Sequence, residues 1–245
     1  MSSMEPRFRR ELRELFEGPP EVRRARLEEF RWLAEIMRKM KDGDKAAQPS
    51  VRALAKLGWT IPLWGPIPLT EMIIEKVAPA EIDSFFVRTY RRSNYKIFRQ
   101  MLKKMKDNPV LVQWRSLLEE CASAFRQHHY LIVVPSLLLI LEGVLSFPPG
   151  APKRKVRVPS ESRRRLAKSE SLWTNIWLSI STFLGEVFKG HEFNRERPGL
   201  INRHWILHGR DETNWTEADC LRLFQSIDTL SYALAVRLEQ KSGAA

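Results

Sequence analysis

Apolar positions recur along this chain with the period of amphipathic helices, and no segment shows the strict alternation of a strand. Residues 5–17 read as a short, highly charged helix stopped by Gly18-Pro19-Pro20. Residues 21–41 read as a second, with Leu27, Phe30, Leu33, Ala34 and Met37 on one face. The pattern lapses over 42–69. Asp42-Gly43-Asp44 and Gln48-Pro49-Ser50 are turn chemistry, and Leu57 to Pro68 is an irregular apolar loop expected to pack on a core. Thr70 fits the N-cap of a short helix reaching Val77.

The pattern over 81–106 predicts one long helix with two opposed stripes. Phe86, Tyr90, Ile97, Met101 and Met105 form the apolar stripe. Arg88, Arg92, Lys96, Arg99, Lys103 and Lys106 lie about 200° away. Such a row of cations is either a solvated face or a track for a phosphate backbone. Asp107-Asn108-Pro109 is a helix start, and the helix behind it turns Trp114, Leu117, Leu118, Cys121 and Phe125 inward. Tyr130 to Pro148 is nearly continuous apolar sequence, but Pro135 and Glu142 interrupt it, so it predicts a fully buried core helix rather than a membrane span. A carboxylate in that setting needs a partner. Arg203 can supply one and be oriented by it, or Glu142 can simply face solvent.

Residues 148–170 predict a mobile basic linker, with Lys153, Arg154, Lys155, Arg163, Arg164 and Arg165 prominent in it. A helix over 171–189 follows, with Leu172, Ile176, Ile180, Phe183, Leu184 and Val187 inward. A short one over 199–208 comes next. A long final helix is capped by Asn214 with Glu217 and packs Leu221, Phe224, Ile227, Leu230 and Leu234. The fold class is therefore all-α. Its segments are 1–66 (charged helices and a Pro/Trp-rich loop), 67–108 (a basic amphipathic segment) and 109–245 (a helical domain enclosing the basic linker).

Composition sharpens this in two ways. With 41 basic and 29 acidic residues the net charge is +12, which favours polyanionic partners such as RNA or an anionic membrane surface. The two cysteines, Cys121 and Cys220, sit in helical patterns and begin no metal-spacing motif, and the opening residues carry no apolar signal core. A reducing, cytoplasmic setting without stable membrane insertion is expected.

The candidate chemistry is concentrated in Asn202-Arg203-His204-Trp205-Ile206-Leu207-His208-Gly209. Histidine titrates near neutrality and can serve as base or acid, while the arginine fork suits phosphate oxygens. His204 and His208, four apart, share a helix face and have the spacing of two metal ligands, but no third ligand is evident. Gly209 fits a left-handed C-cap.

Arginine followed after four residues by histidine, here Arg203 and His208, resembles the motif of HEPN domains. The extended form from Asn202 to Gly209 resembles a bacterial subgroup linked to toxins or phage defence. The resemblance covers roughly residues 109–241. It implies a HEPN-like helical bundle preceded by a helical extension. It further implies a metal-independent endoribonuclease that needs no cofactor and leaves a 2′,3′-cyclic phosphate. Arg203 would hold the phosphate and His208 would act as acid–base. His204 and Asn202 would assist, Glu142 would support, and a homodimer would complete the site. RNA is the implied partner, with a neutralising or sensor protein beside it. Many HEPN-like domains serve instead as non-catalytic binding or regulatory modules, which is the alternative. A peripheral membrane or scaffold role for the helix over 81–106 is a third.

Overall fold

The computed structural model describes residues 46–146, 172–190 and 196–242; the helices expected over 5–17 and 21–41, and the linker 148–170 with Lys153, Arg154, Lys155, Arg163, Arg164 and Arg165, lie outside the described residues. The chain divides into two units, 1–43 and 44–245. The second is all-helical. Among the described residues it holds α1 (Gln48–Lys56), α2 (Ile67–Lys76), α3 (Ile82–Asp107), α4 (Arg115–Arg126), α5 (Tyr130–Ser146), α6 (Leu172–Val187), α7 (Arg203–Leu207) and α8 (Glu217–Ser242), with no strand. The segment boundaries expected at 66/67 and 108/109 fall inside this unit, because Trp59, Phe86, Phe98 and Phe224 belong to one core.

α8 is the central helix. Every residue from Cys220 to Ser231 is buried, and the helix packs against α3, α5 and α6. A helix enclosed on all sides must satisfy its polar side chains internally. Gln225 accepts a hydrogen bond from Tyr90 Oη (2.7 Å) and donates to the Thr60 carbonyl. Thr229 and Thr60 share a hydrogen bond of 3.1 Å, and Ser179 Oγ of α6 accepts from the Ile61 amide at 2.7 Å. The segment Trp59–Ile61 is therefore fully buried, with hydrogen bonds to both α6 and α8. Arg222 is held by Asp83 and Asp219 and lies 5.5 Å over the Trp59 ring. Stranding one such buried polar group costs about 1–3 kcal/mol.

Four expectations change. Gln48-Pro49-Ser50 opens α1 rather than a turn, since proline is tolerated in a first helical turn where its missing N–H loses nothing. α2 starts at Ile67, so Thr70 is a buried helical residue and not a cap. α3 is bent, not straight: Ser93 (φ 50), Asn94 (φ 53) and Tyr95 (φ 56) stand in the left-handed region. The bend lets Tyr90 Oη reach 3.7 Å from Met101 Sδ. In a straight helix eleven residues would separate them by about 16 Å of rise. The six cations stay exposed but belong to two arms, Arg88 and Arg92 before the turn and Lys96, Arg99, Lys103 and Lys106 after it, so they form no single track. Lastly, α5 is not fully buried: Leu131 (50%), Ile132 (62%) and Leu139 (49%) remain exposed on the side turned away from α4 and α8. No described helix is long and apolar enough to cross a membrane.

Two predictions follow from this packing. Trp114 lies across α5 so closely that a Cβ on Gly143 would fall 2.0 Å from Trp114 Cζ2. Gly143→Ala is expected to lose about 1–3 kcal/mol of stability by overpacking, read from a shifted denaturant midpoint at unchanged slope. Asp228 is buried, and burial pushes its carboxyl up to about 7 against a weaker opposite pull from Lys104. The folded state thus holds a proton that the unfolded chain has released, and stability falls as pH climbs from the ordinary carboxylate range to about 7. Asp228→Asn should be the more stable chain at about pH 8, by on the order of 3 kcal/mol, and lose that advantage by about pH 4. Thermal melts that run parallel across that window would count against it.

Candidate active site

α7 has only five residues, too few to be stable alone. Both ends are held from outside. Asn202 is the N-cap: its Oδ1 accepts from the amides of His204 (3.0 Å) and Trp205 (3.2 Å), and its Nδ2 donates to the Lys189 carbonyl (2.9 Å) just past α6. At the other end Gly209 adopts φ 65, its amide donates to the Ile206 carbonyl (3.1 Å), and the Arg210 amide donates to Trp205 (2.8 Å). This paired closure is the Schellman arrangement, in which glycine takes the left-handed position without steric cost. Trp205 and Ile206 are buried and anchor the turn. The helix is shorter than the 199–208 expected because Asn202 caps it, so that it starts at Arg203, four residues late.

Arg203, at the first helical position, donates from Nε to Glu142 Oε2 (2.9 Å) and from Nη2 to Glu142 Oε1 (2.6 Å). Both side chains are about a quarter exposed, at 28% and 24%. The fork-to-fork geometry fixes the guanidinium plane and leaves Nη1 on the edge away from the carboxylate. His208 is the exposed C-cap of the helix. Its ring lies 4.6 Å from that of His204, edge to face. The structure thus joins Arg203 to Glu142 and His204 to His208. Arg203 turns its guanidinium to Glu142. Asn202 has its side chain committed to the cap. The loops flanking α7 are tied together: Arg197 pairs with Asp211 and donates to Asn214 Oδ1 (3.1 Å), and Trp215 Nε1 donates to Asp211 Oδ2 (2.7 Å).

A second polar cluster escaped the sequence reading. Glu217 does not form a capping box with Asn214. The box is made two residues later, where Asp219 accepts from the Thr216 amide (2.8 Å) and hydroxyl (2.9 Å). Glu217 is thereby freed and buried beneath Arg91, Tyr95 and Tyr130. Arg91 Nε (3.1 Å), Tyr95 Oη (2.9 Å) and Tyr130 Oη (3.3 Å) all donate to it, and Arg91 Nη2 pairs with its second oxygen. The exposed His128 shares a 2.8 Å hydrogen bond with Tyr130 Oη. Burial and then the Glu217 charge push the Tyr130 phenol up to about 12. The legible signal was Ser93-Asn94 inside α3, two weak helix formers, one of which tolerates left-handed backbone. Cys121 is pushed up to about 11 and Cys220 upward by burial, which disqualifies both thiols as nucleophiles near neutrality. Among the described residues no three His, Cys, Asp or Glu side chains converge as metal ligands.

No family model, no curated protein and no solved structure matches this chain.

The capping role of Asn202 is directly testable. Asn202→Ala should cost about 1–2 kcal/mol, and Asn202→Asp, which keeps the acceptor oxygen, should retain much of that. Chemical denaturation of the three chains measures this; an alanine variant as stable as the parent would remove the cap from the account.

Proposed function

We propose that this chain is a HEPN-like endoribonuclease that uses the RNA 2′-hydroxyl as nucleophile and leaves a 2′,3′-cyclic phosphate. The observation that supports the reading is the seating of Arg203. Held bidentately by Glu142, its guanidinium keeps one N–H edge for a phosphate oxygen, and the exposed His208 caps the same short helix. Arg203 would neutralise charge on the phosphorane, and His208 would take the 2′-proton or supply one to the 5′-oxygen. His204, in ring contact with His208, would orient it. Asn202 acts at one remove, by holding the helix. A single copy offers one exposed histidine at this site, so a homodimer would complete the acid–base pair. The net charge of +12 suits an RNA partner, bound in part by Arg88, Arg92, Lys96, Arg99 and Lys103. A cytoplasmic toxin or phage-defence role, with a neutralising or sensor protein, belongs to the same reading.

The competing reading is a non-catalytic RNA-binding or regulatory module. It draws on the same ion pair, since Glu142 neutralises the arginine that the chemistry would employ.

Purified chain incubated with mixed RNA in EDTA, beside Arg203→Ala, His208→Ala and Glu142→Gln, separates the two. The ribonuclease reading expects cleavage to cyclic phosphate ends by the parent. It expects losses of about 100-fold or more in the first two variants and a smaller loss in the third. RNA bound but uncut by every chain would favour the module. Equal cleavage by all four would locate the activity elsewhere.

A further inference from the structure

The turn that bends α3 is strained, although Ser93 and Asn94 within it are weak helix formers. Ser93, Asn94 and Tyr95 adopt left-handed backbone in succession, and none is glycine. In that region Cβ crowds the following carbonyl, so L residues occupy it singly if at all. The helical pattern, however, runs through the turn in phase. On one straight helix Phe86, Tyr90, Met101 and Met105 fall within about 100° of one another. Residues 92–95 are bent because both arms bury in the same core, Phe86 and Tyr90 from the first and Phe98 and Met101 from the second.

Residues 46–91 dock on the rest as a unit. Thr60 meets Gln225 and Thr229, Ile61 meets Ser179, and Asp83 meets Arg222, all on α6 or α8. None of these contacts requires that the two sides be joined through residues 92–95 of the same chain.

We propose that two copies of this chain exchange the segment ending at Arg91. Residues 92–95 straighten, α3 runs unbroken from Ile82 to Asp107, and each copy's segment fills the site on α6 and α8 of the other. Exchange through a short strained hinge is a low-cost route to a dimer, because the buried contacts away from the hinge are made again between chains and only those of the hinge itself, such as Tyr95 with Glu217, are rearranged. The balance then rests on hinge strain, which favours the exchanged form, and on chain concentration. The exchanged form also explains the sequence pattern. Straightened, α3 carries Arg88, Arg92, Lys96, Arg99 and Lys103 along one face, a continuous basic row that the bent form divides. This inference does not rest on the ribonuclease reading.

The test combines hinge variants with a covalent reporter in the full chain. Thr60→Cys with Thr229→Cys places two thiols where hydroxyls now lie 3.1 Å apart. Oxidation joins one chain to itself in the closed form and two chains to each other in the exchanged form. The chain without the added cysteines sets the background. Ser93→Ala with Asn94→Ala favours the straight helix, and Ser93→Gly with Asn94→Gly favours the left-handed turn. The alanine pair is expected to lower the dimer dissociation constant by roughly tenfold or more against the glycine pair. Its dimers should run as covalent dimers without reductant. Should the alanine pair fail to fold, the reporter in the parent hinge, refolded at high concentration, decides by the same readout. Monomers throughout, dimers closed only within each chain, or interchain links indifferent to the hinge would each overturn the proposal.

Discussion

The Gln225 amide is the constraint from which most of this architecture follows. It sits in a helix with no solvent face along its middle turns, so each of its hydrogen bonds must come from the protein. One comes from Tyr90 and one goes to the Thr60 carbonyl. To deliver Thr60, the chain between α1 and α2 must run buried alongside α8. To deliver Tyr90, the first arm of α3 must return to the same place that the second arm occupies. The left-handed turn at 93–95 is the local cost of that convergence, about 1 kcal/mol or more per residue by the usual penalty for L residues there. The Glu217 cluster stands at this turn and grips both sides of it, through Arg91 before and Tyr95 after.

α7 is held differently. Its five residues contribute little helical stability, and its place is set by a cap from Asn202, a glycine closure at 209, two buried anchors and the ion pair to α5. The result is a short, rigidly seated turn that carries an oriented arginine and ends on an exposed histidine. Pairing a partly exposed arginine with a partly exposed carboxylate does more for geometry than for stability, since such pairs contribute about 1 kcal/mol or less where water screens them. The pair is better understood as a positional device than as a staple.

How much of this was legible depended on the range of the interaction. The periods of α4, α6 and α8 could be read because burial on one side imprints a 3.6-residue pattern. That Glu142 either finds a partner or faces solvent follows from its apolar neighbours; the pairing with Arg203 comes from the fold. The final helix shows where local reading stops: Asn214 with Glu217, and Thr216 with Asp219, both match the capping-box spacing. Arg91, Tyr95 and Tyr130, from 87 to 126 residues distant, recruit Glu217 and leave the second pair to make the cap. The first proline-led helix was missed for a similar reason, since Gln48-Pro49-Ser50 serves a turn or a helix start equally well.

By itself, then, the sequence determined an all-α chain, the order of most of its helices, a basic surface and one short segment dense in arginine and histidine. Those properties are carried by composition and by spacings of three and four residues. Only the tertiary structure decided that α3 bends, that residues 59–61 are buried against α6 and α8, that Arg203 meets a carboxylate 61 residues away, and that Glu217 is a buried hub. Each of these is a choice among locally equivalent options, and the choice is made by which polar groups must find partners once the core has closed.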